Sequence, residues 1–74
     1  MTLNNARIGD TYIVNSINLD VVTTRRLQAL GLTQGTNIKI LNRNRTGSVI
    51  VMVRGSRLAL GMKIAELIHM KEAS

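Results

Sequence analysis

The sequence predicts a mainly β fold, a small five-stranded barrel with a helix between the first two strands and a short helical turn before the last. Three observations carry this. Short runs rich in β-branched residues recur at 11–17, 36–44 and 49–54, with turn residues between them. The apolar residues are Ile, Val, Leu, Met and Ala, and Tyr12 is the sole aromatic, which suits a compact aliphatic interior. A chain of 74 residues has room for one core, not two, and leaves almost no spare backbone between elements. The expectation is one domain spanning 1–74, with its core at about 8–70 and no repeats or linkers.

Taken in order, residues 2–8 can form one helical turn before Gly9-Asp10 breaks it. Residues 11–17 read as the first strand, and Asn18 to Asp20 bridge to a helix whose first free amides Asp20 or Thr23 can accept. That helix should finish at Leu30. Gly31 then takes the left-handed position that glycine enters without a Cβ penalty, and Leu32 folds back onto Leu27. Thr33-Gln34-Gly35-Thr36 places Gly35 third in a four-residue turn, as type II requires.

The second strand, 36–44, carries Ile38 and Ile40 on one side, and Arg45-Thr46-Gly47-Ser48 turns the chain into the third, 49–54. Gly55-Ser56 is read as a two-residue hairpin loop, setting Val53 opposite Leu58, Val51 opposite Leu60 and Arg54 opposite Arg57. One face is then Val49, Val51, Val53, Leu58 and Leu60; the other holds Ile50, Met52, Ala59 and the two arginines. Residues 61–66 form a short helical turn, 67–70 the closing strand, and 71–74 are expected to fray.

Composition narrows the function classes. No cysteine is present, so disulfides, cysteine-ligated zinc and thiol catalysis are excluded. The longest aliphatic run, Val49-Ile50-Val51-Met52-Val53, is far short of a membrane span, and the first residues lack signal-peptide character, so a soluble, cytoplasmic protein is expected. Ten Lys+Arg against four Asp+Glu give a net charge of +6, a field that attracts anionic partners.

Catalysis is poorly supplied: Asp10, Asp20, Glu66 and Glu72 are scattered, His69 is the lone histidine, and no nucleophile elbow or phosphate loop appears. No cofactor is expected. His69 with Glu66 or Glu72 can offer at most a weak transition-metal site, and Met52, Met62 and Met70 read as core fillers. The arginines matter more. Arg43 and Arg45 flank one hairpin, Arg54 and Arg57 the next, and Arg25 and Arg26 lie on the helix, all candidates for meeting an anionic partner.

Three motifs carry a family resemblance: Arg25-Arg26-Leu27-x-x-Leu30-Gly31-Leu32-Thr33-x-Gly35-Thr36, then Val53-Arg54-Gly55-Ser56-Arg57-Leu58-Ala59-Leu60, then Ala65-Glu66-Leu67-Ile68. In this order and spacing, over about Ile8 to Met70, the chain resembles the FeoA family, small cytoplasmic proteins associated with bacterial ferrous iron uptake. Gly61 stands where some members carry a basic residue, and the connection 45–48 is shorter than in many and lacks proline. The resemblance implies an SH3-like barrel and a partner, the FeoB-type membrane permease with its cytoplasmic GTP-binding domain. The structural residues are then Gly31, Leu27, Leu32, Gly35 and Gly55.

The leading reading is a non-enzymatic module that docks on that permease, with no DNA and no membrane insertion expected and the oligomeric state open. Two alternatives remain: a small basic barrel that binds nucleic acid, and a detached regulatory domain like that at the C-terminus of metal-dependent repressors. The first lacks stacking platforms beyond Tyr12, and no DNA-binding domain precedes the second.

Overall fold

A computed structural model describes residues 1–73. It contains β1 (Thr11–Ile17), α1 (Val21–Ala29), β2 (Asn37–Arg43), β3 (Val49–Val53), β4 (Ser56–Leu60), α2 (Met62–Ala65) and β5 (Ile68–Glu72), after a single 3-10 turn at Leu3–Asn5. All five strands join one antiparallel sheet in the order β4-β3-β2-β1-β5, an SH3-like arrangement. The sheet is not closed. Its β5 edge is met instead by the N-terminal segment, where Met70 N–H donates to Met1 C=O at 2.7 Å and Thr2 bridges His69.

Alternation explains the core. Tyr12 and Val14 of β1, Ile38 and Ile40 of β2, and Val49, Val51 and Val53 of β3 all point inward and are buried. Leu3, Leu27, Leu32, Leu60, Ala65, Ile68 and Met70 complete one aliphatic cluster that holds no buried polar residue. Tyr12 is the one ring inside it, and its hydroxyl accepts from Arg7 N–H at 2.9 Å, so the polar tip is satisfied. Two register shifts bend the sheet around this cluster: one between Val14 and Ser16, the other between Ile40 and Asn42. Each inserts an extra residue on one strand and sharpens the local twist.

Two expectations need correction. The β3–β4 loop is Arg54-Gly55, not Gly55-Ser56, so Val53 pairs with Ser56, Val51 with Leu58, Val49 with Leu60, and Arg57 faces Met52 rather than Arg54. Both loop residues have positive φ, 50° and 82°, which the twist-compatible type I′ hairpin demands. Arginine accepts a left-handed backbone here so that the strands keep their twist. The slip moves pairs by two positions, so face parity survives: Val49, Val51, Val53 and Leu60 are buried, and Leu58 is partly buried against them.

The second correction concerns the C-terminal end. Lys71 and Glu72 belong to β5, paired with Ile13 and Tyr12, because β1 is long enough to template them. Of the segment expected to fray, Ser74 lies outside the described residues.

Candidate functional site

Helix α1 is built at its ends rather than along its length. Asp20 caps it, its carboxylate accepting from Thr23 N–H at 3.1 Å, and hydrogen bonding from Thr23, side chain first and backbone second, lowers the Asp20 pKa. At the far end Gly31 has φ of 98°; Leu32 N–H donates to Leu27 C=O at 2.9 Å and Gly31 N–H to Gln28 C=O at 3.0 Å. These are the two bonds of a Schellman cap, with Leu27 and Leu32 both in the core. The turn that follows also forms as expected: Thr36 N–H reaches Thr33 C=O at 3.1 Å and Gly35 has φ of 86°.

Between its caps, α1 buries only Leu27. Val21, Val22 and Leu30 stand 64%, 60% and 55% exposed, interleaved with exposed Arg25 and Arg26. A helix start made of Val21, Val22, Thr23 and Thr24 is not chosen for propensity, because β-branched side chains lose rotamer freedom in a helix.

The β3–β4 hairpin reaches this helix. A Cβ placed on Gly31 would sit 3.0 Å from Arg54 Cδ and 3.3 Å from Val53 Cγ1, so the Arg54 stem lies where Gly31 has no side chain. Arg54 therefore meets the C-terminal end of α1, beside Leu30. Beside it, the outer face of the sheet carries a cross-strand row of Thr11, Lys39, Met52 and Arg57, in which two cations flank a partly exposed thioether.

The remaining arginines separate from this group. Arg43 is turned inward: its Nη2 donates to Ala6 C=O at 2.6 Å and Leu3 C=O at 3.3 Å, fastening the N-terminal 3-10 turn to β2. Its Nε is buried without a partner. Arg43 is thus an internal clasp, a role its sequence context gives no sign of, since the carbonyls it serves lie 37 and 40 positions away. Arg45 is exposed on the β2–β3 turn, which Asn44 organises by accepting from Thr46 N–H at 3.1 Å and Ser48 N–H at 2.9 Å. That turn is at the opposite end of β3 from Arg54, about 16 Å away for a five-residue strand, so the four hairpin arginines do not form one cluster.

The metal candidates are also dispersed. His69 and Glu72 differ by three positions on β5 and so point to opposite faces, and Glu66 caps α2 on the other side of the turn. Among the described residues no group of three or more His, Asp or Glu is close enough to hold an ion. The β1–β5 pairing does draw Asp10 and Glu72 to one open depression beside Tyr12, a proximity no sequence spacing signals. No helix among the described residues is long and apolar enough to cross a membrane.

Comparison with known proteins follows the same lines. Residues 1–72 match the FeoA domain family model. A protein of Methanocaldococcus jannaschii named as an Fe(2+) transport protein A is 32% identical over 68 residues, covering 92% of this chain and 82% of that one. The solution structure of a FeoA protein from Chlorobium tepidum superposes with a TM-score of 0.92 at 29% identity, over 100% of this chain and 71% of the other. A manganese-dependent transcriptional repressor shares the fold, with a TM-score of 0.87 at 24% identity, this chain matching 41% of its length.

Proposed function

Because the chain belongs to the FeoA domain family, matched across residues 1–72, we propose that it is a non-enzymatic cytoplasmic accessory of ferrous iron uptake that docks on an FeoB-type permease. The observation that carries this reading is the match itself, which spans residues 1–72. The chemistry agrees. Exposed cations and half-exposed apolar side chains are the ingredients of a binding face.

The nucleic-acid alternative is weakened by burial. Tyr12, the one aromatic, is 3% exposed with its hydroxyl engaged, so no ring is free to stack on a base. The likeness to the repressor concerns fold alone.

The test is direct binding of the purified chain to the full-length permease in detergent, with random-sequence DNA as competitor probe. Permease binding that weakens with rising salt supports the reading, since exposed charges are screened over about 10 Å at 0.1 M. Binding to DNA with none to the permease overturns it.

A further inference from the structure

We propose that the outer face of α1 and the tip of the β3–β4 hairpin form a single docking surface for an acidic segment of the partner protein that carries an apolar anchor. This rests on the docking function proposed above and specifies where, and by what chemistry, the contact is made.

The face is continuous. Val22, Arg26 and Leu30 follow one another at intervals of four along the helix, so they form one line about 12 Å long, with Val21 and Arg25 beside it. Leu30 is followed by Gly31, over which the Arg54 stem lies, so the hairpin cation closes the C-terminal end of that line. Apolar and cationic side chains therefore alternate along a groove-free strip the length of two helical turns.

Packing of the core does not account for the strip. Val21, Val22 and Leu30 make no part of the core cluster, and β-branched residues are poor choices for an exposed helix face. Arg54 occupies a left-handed backbone position that glycine or asparagine would hold with less strain. Among the described residues Arg43 alone uses its guanidinium for a hydrogen bond within the chain, leaving Arg25, Arg26 and Arg54 available. Residues that are costly to the fold, with guanidinium groups and apolar ends unpaired within it, point outward, to a ligand.

Charge selects the occupant. A second copy of this chain would set arginine against arginine across a symmetric contact. A nucleic acid would meet Val21, Val22 and Leu30 where it offers phosphates, and a lipid surface would find a nine-residue helix without an aromatic anchor. An acidic protein segment with one or two aliphatic side chains satisfies both halves of the strip: carboxylates on the three arginines, an apolar side chain between Val22 and Leu30.

The experiment is amide NMR of the isotope-labelled 74-residue chain against the full-length permease in detergent, and separately against vesicles of phosphatidylcholine and phosphatidylglycerol. Broadening centred on Val21, Val22, Arg25, Arg26, Leu30 and Arg54 with the permease, and none with vesicles, is expected. Leu30→Ser and Arg54→Gly should each weaken permease binding by about tenfold with unchanged spectra, whereas Arg45→Glu should change it by less than about twofold. Permease binding mapped to another face, or insensitive to Leu30→Ser and Arg54→Gly, overturns this surface and leaves the docking function standing. Perturbation of the strip by vesicles alone overturns the protein occupant. No permease binding at all overturns both.

Discussion

The stem of Arg54 lies over Gly31, with Cδ 3.0 Å from where a Cβ would be, and this contact joins the helix cap to the hairpin tip. Two residues 23 positions apart in sequence, in two separate motifs, are thus one piece of structure. Gly31 serves it twice, by taking φ of 98° and by leaving room for the arginine.

Gly31→Val should destabilise the fold by at least ~1–2 kcal/mol from backbone strain alone, and by more from the displaced arginine stem. Gly31→Ala separates the two costs. In an Arg54→Gly background its penalty should shrink, because the Cδ contact is gone while the left-handed φ remains; the urea midpoints of the double-mutant cycle give the difference. Equal penalties in both backgrounds would mean that the contact carries no energy.

Arg43→Ala should cost about 2–3 kcal/mol by urea denaturation, as bonds to a charged donor contribute about 1.5–3 kcal/mol and its unpartnered Nε offsets part of the gain. The loss should appear as faster hydrogen exchange at Ala6, whose amide closes the N-terminal turn on Leu3 C=O, and at Met70, whose amide bonds Met1 where that segment meets the sheet. Arg43→Lys should recover only part of it, since an ammonium lacks the fork that spans two carbonyls.

The Asp20 cap makes a pH prediction. Its folded pKa lies below the ordinary value of 3.8, so its stabilisation is complete above that value and is lost as pH falls through the lower folded one. Thermal melts should therefore show a stability decrement below about pH 4 that Asp20→Asn removes, because asparagine still accepts from Thr23 N–H but does not titrate. An identical acid profile in the variant would show that the Asp20 cap does not set the acid sensitivity.

Local signals made most of the fold legible. Asp20, Gly31 and Gly35 each solve a backbone problem within four residues of themselves, and alternation placed Val49, Val51 and Val53 correctly even though the hairpin loop was misassigned by one residue. That slip arose because Gly-Ser fits the composition of a two-residue loop, whereas strand twist prefers positive φ at both loop positions and enlists Arg54 to supply it. The site was half legible. The sequence names the candidate arginines, but which of them are free depends on long-range geometry: Arg43 is claimed by carbonyls of the N-terminal turn, and Arg45 is carried to the far end of β3. Exposure of Val21 and Val22 was likewise invisible, since the same residues on the other face of α1 would read as core.

The last prediction concerns iron itself. Anaerobic calorimetry with iron(II) should show no sub-micromolar site on the isolated chain, and His69→Ala should leave permease binding unchanged. Iron(II) held by nitrogen and oxygen donors needs several imidazoles or carboxylates around one point. His69 sits partly buried on β5, bridged to Thr2 and paired with Ser16, with Glu72 on the opposite face of the strand. Asp10 and Glu72 share one depression, two ligands that would have to attract a divalent cation to a protein of net charge +6. Raising the ionic strength should not improve such a site enough to matter, because screening removes the repulsion without adding donors. A tight, stoichiometric heat that vanishes in Asp10→Asn or Glu72→Gln would place iron in that depression and turn this chain from a docking module into a carrier.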